Sequence, residues 1–250
     1  MPQAKKPITK KSKVPSPVKM PPIEKQIFPG SEQRFIVDRY YQVQKQRIAM
    51  GNEIFQLNKL EIDPVALNRF YEDFYTIEKD MVKYLKKVMK DHEMGPYFES
   101  VKGIGPVLGA ALVSFIDIEK AQHASSVWKY CGLAPGQKRK KGVKLDYNPV
   151  MKTIAWKIGE QFVKTPGKYR DIYVTSRAYY QEKFPKPIPV PNTKGQMTHV
   201  PAHLHAMAKR RTVKIFLSEF WAEWRKVRGL PVSEPFAHRI GAKEQRIEEL

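Results

Sequence analysis

The stretch Val101-Lys-Gly-Ile-Gly-Pro-Val-Leu-Gly-Ala-Ala-Leu-Val113 constrains the fold more than any other part of the chain. It reads as a short helix ending near Val101, a tight turn through Gly103-Ile104-Gly105, and a second helix opening at Pro106. The two glycines open backbone conformations closed to other residues, and Ile104 between them is placed to plug the gap between two helices. A proline at the first helical position loses nothing, because its missing N–H would have no intrahelical partner there. The expectation is a helix–hairpin–helix whose backbone N–H groups face outward at a helix N-terminus, a geometry that suits a phosphate oxygen. The alternative is an ordinary glycine-rich turn between two core helices.

Charge bears on that choice. Across 250 residues, 45 Lys and Arg stand against 25 Asp and Glu, a net charge of +20. Such an excess repels itself in a compact chain unless a polyanion relieves it. Nucleic acid is the leading partner and an anionic membrane surface the second. No run approaches the ~18 apolar residues of a membrane span, and the N-terminus lacks the apolar core of a secretory signal. The single cysteine, Cys131, rules out an internal disulfide framework and fits a reducing, intracellular setting.

Along the chain, residues 1–30 hold six lysines and six prolines within the first 22 positions and no acid there, and read as a disordered basic arm. From Ser31 to about Leu60 the apolar residues Ile36, Tyr40, Val43, Met50, Ile54 and Leu57 recur at heptad spacing, with Arg47 on the same stripe. Asp63 and Pro64 suit the cap and first position of a second helix, striped by Leu67, Phe70, Phe74, Ile77, Met81, Leu85 and Val88 to about His92. Two long helices joined by a short turn make an antiparallel, coiled-coil-like hairpin over 31–92, whose narrow stripes call for a further partner, a second copy.

A helix-hairpin-helix-containing unit follows over 93–184. Its second hairpin helix runs to about Ile116, and a short helix over 123–130 closes at Cys131-Gly132. The basic loop Lys138, Arg139, Lys140, Lys141 and Lys144 carries no acid within that span. A charge run is usually a solvated face; beside a phosphate-binding hairpin it points to nucleic acid. Asn148-Pro149 opens another helix with Met151, Ile154, Ala155, Ile158 and Phe162 inward, Lys152 and Lys157 outward, and Trp156 free to face either way. A tyrosine-rich helix runs from Tyr169 to Phe184, and prolines at 185, 187, 189 and 191 forbid regular structure over a 185–200 linker. A last helix, 201–231, carries Val213, Phe216, Leu217, Phe220 and Trp224 on its apolar face and Lys209, Arg210, Arg211 and Lys214 near its start. The tail 232–250 reads as loosely held. No convincing strand and no internal repeat is found, so the fold class is all-α.

The ordered set Val101-Lys-Gly-Ile-Gly-Pro-Val-Leu-Gly-Ala110, then Trp128-Lys-Tyr-Cys-Gly-Leu-Ala-Pro135, the basic loop and the Lys-rich helix resembles the C-terminal domain of a class of insertion-sequence transposases. That family joins a RuvC-like nuclease domain with an acidic DEDD set to a helical hairpin and a serine domain. The segment His205 to Arg211, with 217–231, is similar to the family's terminal helix, and 31–92 sits where the family keeps its dimerisation element. The resemblance implies DNA recombination guided by RNA. Two departures are expected to matter: the residues before the hairpin leave no room for the nuclease domain, and lysines occupy 138–142 where the family's nucleophilic serine falls. Ser125 and Ser126, the nearest hydroxyls, sit on the preceding helix. Covalent strand exchange needs an activated hydroxyl.

His199, His203 and His205 cluster in sequence, but Pro201 breaks the helical spacing that would converge them, so no metal is expected. No phosphate-cradling Walker loop or paired carboxylates are present, and no cofactor is called for. The reading is a non-catalytic, largely sequence-independent DNA-binding dimer, intracellular and DNA-associated (cytoplasm, nucleoid or virion). Its contacts are Lys102, Gly103, Ile104, Gly105, Lys138, Arg139, Lys140, Lys141, Lys144, Lys209, Arg210 and Arg211. The alternatives are a recombinase working with a separate nuclease and an RNA-binding accessory.

Overall fold

The computed structural model describes residues 31–137, 141–185, 190–191, 197–198 and 200–233. The basic arm, the loop residues Lys138, Arg139 and Lys140, His199 and the tail from 234 lie outside the described residues. The architecture is all-α: α1 (Glu32–Lys59), α2 (Val65–Asp91), α3 (Gly95–Ser100), α4 (Pro106–Phe115), α5 (Ala124–Tyr130), α6 (Pro149–Lys164), α7 (Lys168–Lys183) and α8 (Val200–Val227). One expectation fails within the 185–200 linker. Val190–Pro191 (β1) pairs antiparallel with Met197–Thr198 (β2), in register Val190 with Thr198 and Pro191 with Met197. Two-residue strands demand few ladder bonds, so a proline that cannot donate is tolerated there.

Helices α1 and α2 form the antiparallel hairpin. Its turn closes without glycine: Ile62 N–H donates to Leu57 O at 3.0 Å and Glu61 N–H to Asn58 O at 3.2 Å, with Glu61 left-handed at φ 58°. That bond pair is the Schellman pattern, which usually places glycine where Glu61 stands. Pro64, not Asp63, occupies the N-cap position, and no side chain caps α2. At the base of the hairpin Val37, Leu85, Val88 and Met89 enter the main core, against α4. Towards the tip Val43, Met50, Ile54 and Leu57 are only half-buried, and Phe70 and Ile77, expected on the stripe, are 54% and 45% exposed. Two helices alone cannot cover an apolar face on all sides.

A polar clamp holds the middle of the hairpin. Arg47 Nε donates to Glu78 Oε2 at 2.6 Å, Gln44 Nε2 to Glu78 Oε1 at 2.9 Å, and Arg47 Nη1 to the Tyr71 hydroxyl at 3.1 Å. Burial pushes the Glu78 carboxyl up, but the hydrogen bonds from Arg47 and Gln44 outweigh it and hold it below its ordinary range. A carboxylate depressed in the fold contributes stability above its unfolded pKa and loses it as pH falls through the lowered value. The melting temperature followed by circular dichroism from about pH 7 to about pH 3 is expected to drop below about pH 4.5. In Glu78→Gln the part of that drop due to this carboxylate disappears.

The remaining helices wrap α8. Phe162 stacks on Tyr169 with ring centroids 4.4 Å apart and meets Phe216 edge-on at 5.1 Å; Phe98 stacks on Phe220 at 5.6 Å. Trp221 is fully buried and its indole donates to Ala121 O at 2.6 Å. Arg225, 5% exposed, donates from Nη1 to Ile118 O at 2.9 Å and Ala121 O at 3.2 Å, and from Nε to Pro231 O at 2.7 Å. A buried guanidinium thus ties the 117–123 loop and the chain after α8 to one helix. The Trp224 indole and Arg228 both donate to Glu93 Oε1, at 2.7 and 2.6 Å, which fastens α8 to the α2–α3 junction. Cys131 is fully buried, and burial pushes its thiol up to about 12, leaving it unreactive near neutral pH.

Candidate nucleic-acid interface

The turn between α3 and α4 forms as the sequence indicates, with one correction. Gly103 has φ 99°, a left-handed conformation that favours glycine. Gly105 has φ −84° and ψ 174°, extended backbone open to any residue, so only one of the two glycines is needed for its conformation. Nor does packing require a glycine there, since a Cβ on Gly105 would meet nothing within 4 Å and the backbone borders open space. Ile104 is 7% exposed and plugs the helix gap. No side chain caps α4, so the first-turn N–H groups of Val107 and Leu108 face the helix end that Gly105 leaves open. Lys102 is exposed beside it, its stem lying over Gly167.

A second feature was not legible in the sequence. The loop Gly132–Gln137, the N-terminal half of α6 and the middle of α8 enclose a groove of about 770 Å³. The loop is held in shape. Gly132, left-handed at φ 66°, closes α5 with bonds to Lys129 O at 3.0 Å and from Leu133 N–H to Trp128 O at 2.9 Å. The Gln137 side chain accepts from Ala134 N–H and donates to Lys129 O, both at 3.1 Å. Asn148 Oδ1 caps α6 by accepting from Val150 and Met151 N–H, at 2.9 and 3.2 Å. Glycine sets the meeting of α6 and α8 as well. A Cβ on Gly159 would come within 2.7 Å of Lys209 Cγ and 3.2 Å of Val213 Cγ2. An isolated glycine inside a helical pattern was the sequence signal for this crossing.

Lys152, Lys209, Arg210, Arg211 and Lys214 line the groove, together with Trp128, Trp156 and Tyr180, and among the described residues no carboxylate does. Lys209 is partly neutralised from outside it by an ion pair with Glu160, and its Nζ lies 5.2 Å from the Trp156 ring centroid. Lys214 Nζ lies 5.3 Å from the Trp128 ring. Burial, and then the Arg210 charge, push the Lys214 ammonium down from its ordinary value. A negative charge placed beside Lys214 would offset that loss. Trp156 is turned outward and is 57% exposed, whereas Trp128, Trp221 and Trp224 are all buried.

The structure therefore sorts the residues singled out from sequence. Lys209, Arg210 and Arg211 line the groove together with the loop residues up to Gln137, whereas Lys141 and Lys144 are exposed and are not among its lining residues. Lys102, Gly103, Ile104 and Gly105 do not join them. A Cβ on Gly103 would touch Phe162 and Thr165 at the far end of α6, six and nine residues beyond Trp156, or ~9–14 Å along the helix axis. Lys157, expected outward, is half-buried with Nζ 3.8 Å from the Tyr41 ring centroid of α1. His205 is tied to the Tyr173 hydroxyl at 2.7 Å, and among the described residues no three His, Cys, Asp or Glu side chains converge. Ser125 and Ser126 are exposed on α5, away from the groove lining.

Fold and groove together define an all-helical protein with a cationic, aromatic-lined surface recess. Residues 95–140 match the model of the Transposase IS116/IS110/IS902 family, a segment that opens at the first residue of α3 and ends in the basic loop. No curated protein and no solved structure matches the chain. Among the described residues no helix is long and apolar enough to cross a membrane.

Proposed function

We propose that the protein binds DNA without catalysing strand exchange, largely independently of sequence, and acts as a dimer paired through the 31–92 hairpin. The observation that carries this reading is the groove, in which five cationic side chains and, among the described residues, no carboxylate converge, with the basic run Lys138 to Lys144 following its lining residue Gln137 in sequence. The match over 95–140 to a transposase family supports DNA as the polyanion. The turn at Lys102 to Gly105 offers a second phosphate contact at the other end of α6. Because phosphates carry no base identity, such contacts position a duplex without reading it. The run Lys138-Arg-Lys-Lys-Gly142 contains no hydroxyl to serve as a nucleophile, which supports binding without strand transfer. For pairing, the supporting observation is apolar exposure. Nine of the fifteen large hydrophobic residues exposed among the described residues fall within the hairpin, Phe55 and Phe70 among them.

The test is a salt series on duplex DNA and on structured RNA. Each neutralised phosphate contributes about −0.9 to the slope of log K against log salt on B-DNA. Replacing Lys138, Arg139, Lys140 and Lys141 with alanine is expected to flatten that slope by roughly 2 to 4 units and weaken binding on unrelated sequences alike. An unchanged slope would place the binding face elsewhere. Tighter binding to the RNA at matched salt would favour an RNA accessory, and a trapped covalent protein–DNA adduct would favour a recombinase.

A further inference from the structure

We infer that the groove holds an unstacked base of a single-stranded polynucleotide against the Trp156 ring, an inference that rests on the nucleic-acid reading above. Phosphate contact alone calls for cations on an open surface, and Lys102, Lys141 and Lys144 already provide that. The groove is different in kind. It is a recess of about 770 Å³, within the ~300–1,000 Å³ of small-molecule sites, and its wall carries the chain's one exposed tryptophan. A ring 57% open to solvent gives little back to the fold. Its π-face is instead available for stacking, which any base satisfies regardless of sequence. The Lys209 ammonium, itself paired with Glu160, lies 5.2 Å from the Trp156 ring centroid and sets a positive charge beside the indole. Arg210 and Lys214 then stand where the flanking phosphates of an extended strand would run.

Duplex DNA cannot use this recess, because its bases are stacked on one another and paired across the helix axis. A base reaches Trp156 only after leaving the stack, at a strand end, a melted junction or a single-stranded loop. Stacking and phosphate contact are separable in measurement. A phosphate contact sets the salt slope, whereas a stack adds affinity without moving it.

The experiment compares the full chain with Trp156→Ala and Trp156→Phe on labelled oligo-dT, oligo-U and a mixed-sequence duplex. Each is about twelve nucleotides long, within the ~4–16-nucleotide span of single-strand sites. Trp156→Ala is expected to weaken single-strand binding roughly 5- to 150-fold, the worth of one base–aromatic stack. The salt slope stays as in the parent, duplex binding loses much less, and Trp156→Phe recovers most of the loss. Loss on both oligonucleotides, or on one, supports the stack, and the strand affected identifies the polymer. Equal loss on duplex and single strands, or no loss on either, overturns it. If the duplex is bound with its salt dependence intact while Trp156→Ala changes nothing, the stack alone fails. A parent chain that binds none of the three overturns the nucleic-acid reading as well.

Discussion

Replacing Trp221 with alanine is expected to cost about 3–5 kcal/mol of folding stability. For a chain of this size that corresponds to a fall of roughly 6–20 °C in melting temperature. Two losses combine. The side chain is fully buried in the core that α8 shares with the other helices, so its removal leaves a cavity that the surrounding rings cannot close. Its indole also donates to Ala121 O at 2.6 Å, a carbonyl otherwise served only by the longer 3.2 Å bond from Arg225. Trp221→Phe keeps most of the volume and is expected to lose much less. Trp156→Ala, the same chemical deletion at an exposed site, should change stability by no more than about 0.5 kcal/mol. Chemical denaturation of the three variants checks this directly. A loss below about 1 kcal/mol for Trp221→Ala would mean that α8 does not organise the core.

The contrast between those tryptophans shows what the sequence could and could not convey. Local chemistry was readable wherever a residue acts on its own neighbours. Gly103 takes the left-handed turn, Ile104 plugs the gap, Asn148 caps α6, and Gly132 ends α5. Periodicity also placed Ile154, Ile158, Phe162, Phe216 and Phe220 inward, and all are buried. The groove was not readable, because it depends on how closely α8 crosses α6, where Gly159 leaves room for the Lys209 stem. For the same reason Trp156 could not be assigned a side from its spacing. The basic residues Lys152 of α6 and Lys209 to Lys214 of α8 were visible as charge in two places but not as one recess. The α3–α4 turn, nearer to the basic loop in sequence than α8 is, lies at the other end of α6. Buried cations were not readable either. Nothing in the sequence singled out Arg225, yet it holds three backbone carbonyls. Arg47 was placed on the apolar stripe, but Glu78, its partner 31 residues away, could only be found in the fold.

On the proposed pairing through 31–92, changing Phe55 and Phe70 together to glutamate is expected to convert a dimer to the 29.0 kDa monomer in sedimentation, and to weaken DNA binding by roughly 10²–10⁴-fold. The two effects have one cause. Both rings are more than half exposed in the single chain, at 57% and 54%, so the monomer loses little when they change, as expected of surface positions. In a dimer the same positions would set like charges into an apolar seam with nothing to pair them. The hairpin rises about 35 Å beyond its core-embedded base at Val37, taking 23 residues to Leu60 at ~1.5 Å each. In the proposed dimer it would keep two copies of the helical body apart while tethering them. Two tethered sites bind one duplex with an avidity that neither site has alone, and severing the tether leaves the intrinsic site affinity intact. The double variant should thus keep the parent's affinity for an oligonucleotide too short to reach both bodies and lose it only on long duplexes. Equal loss on short and long DNA would show that the hairpin contacts DNA itself. An unchanged sedimentation coefficient would show that Phe55 and Phe70 do not pair the copies.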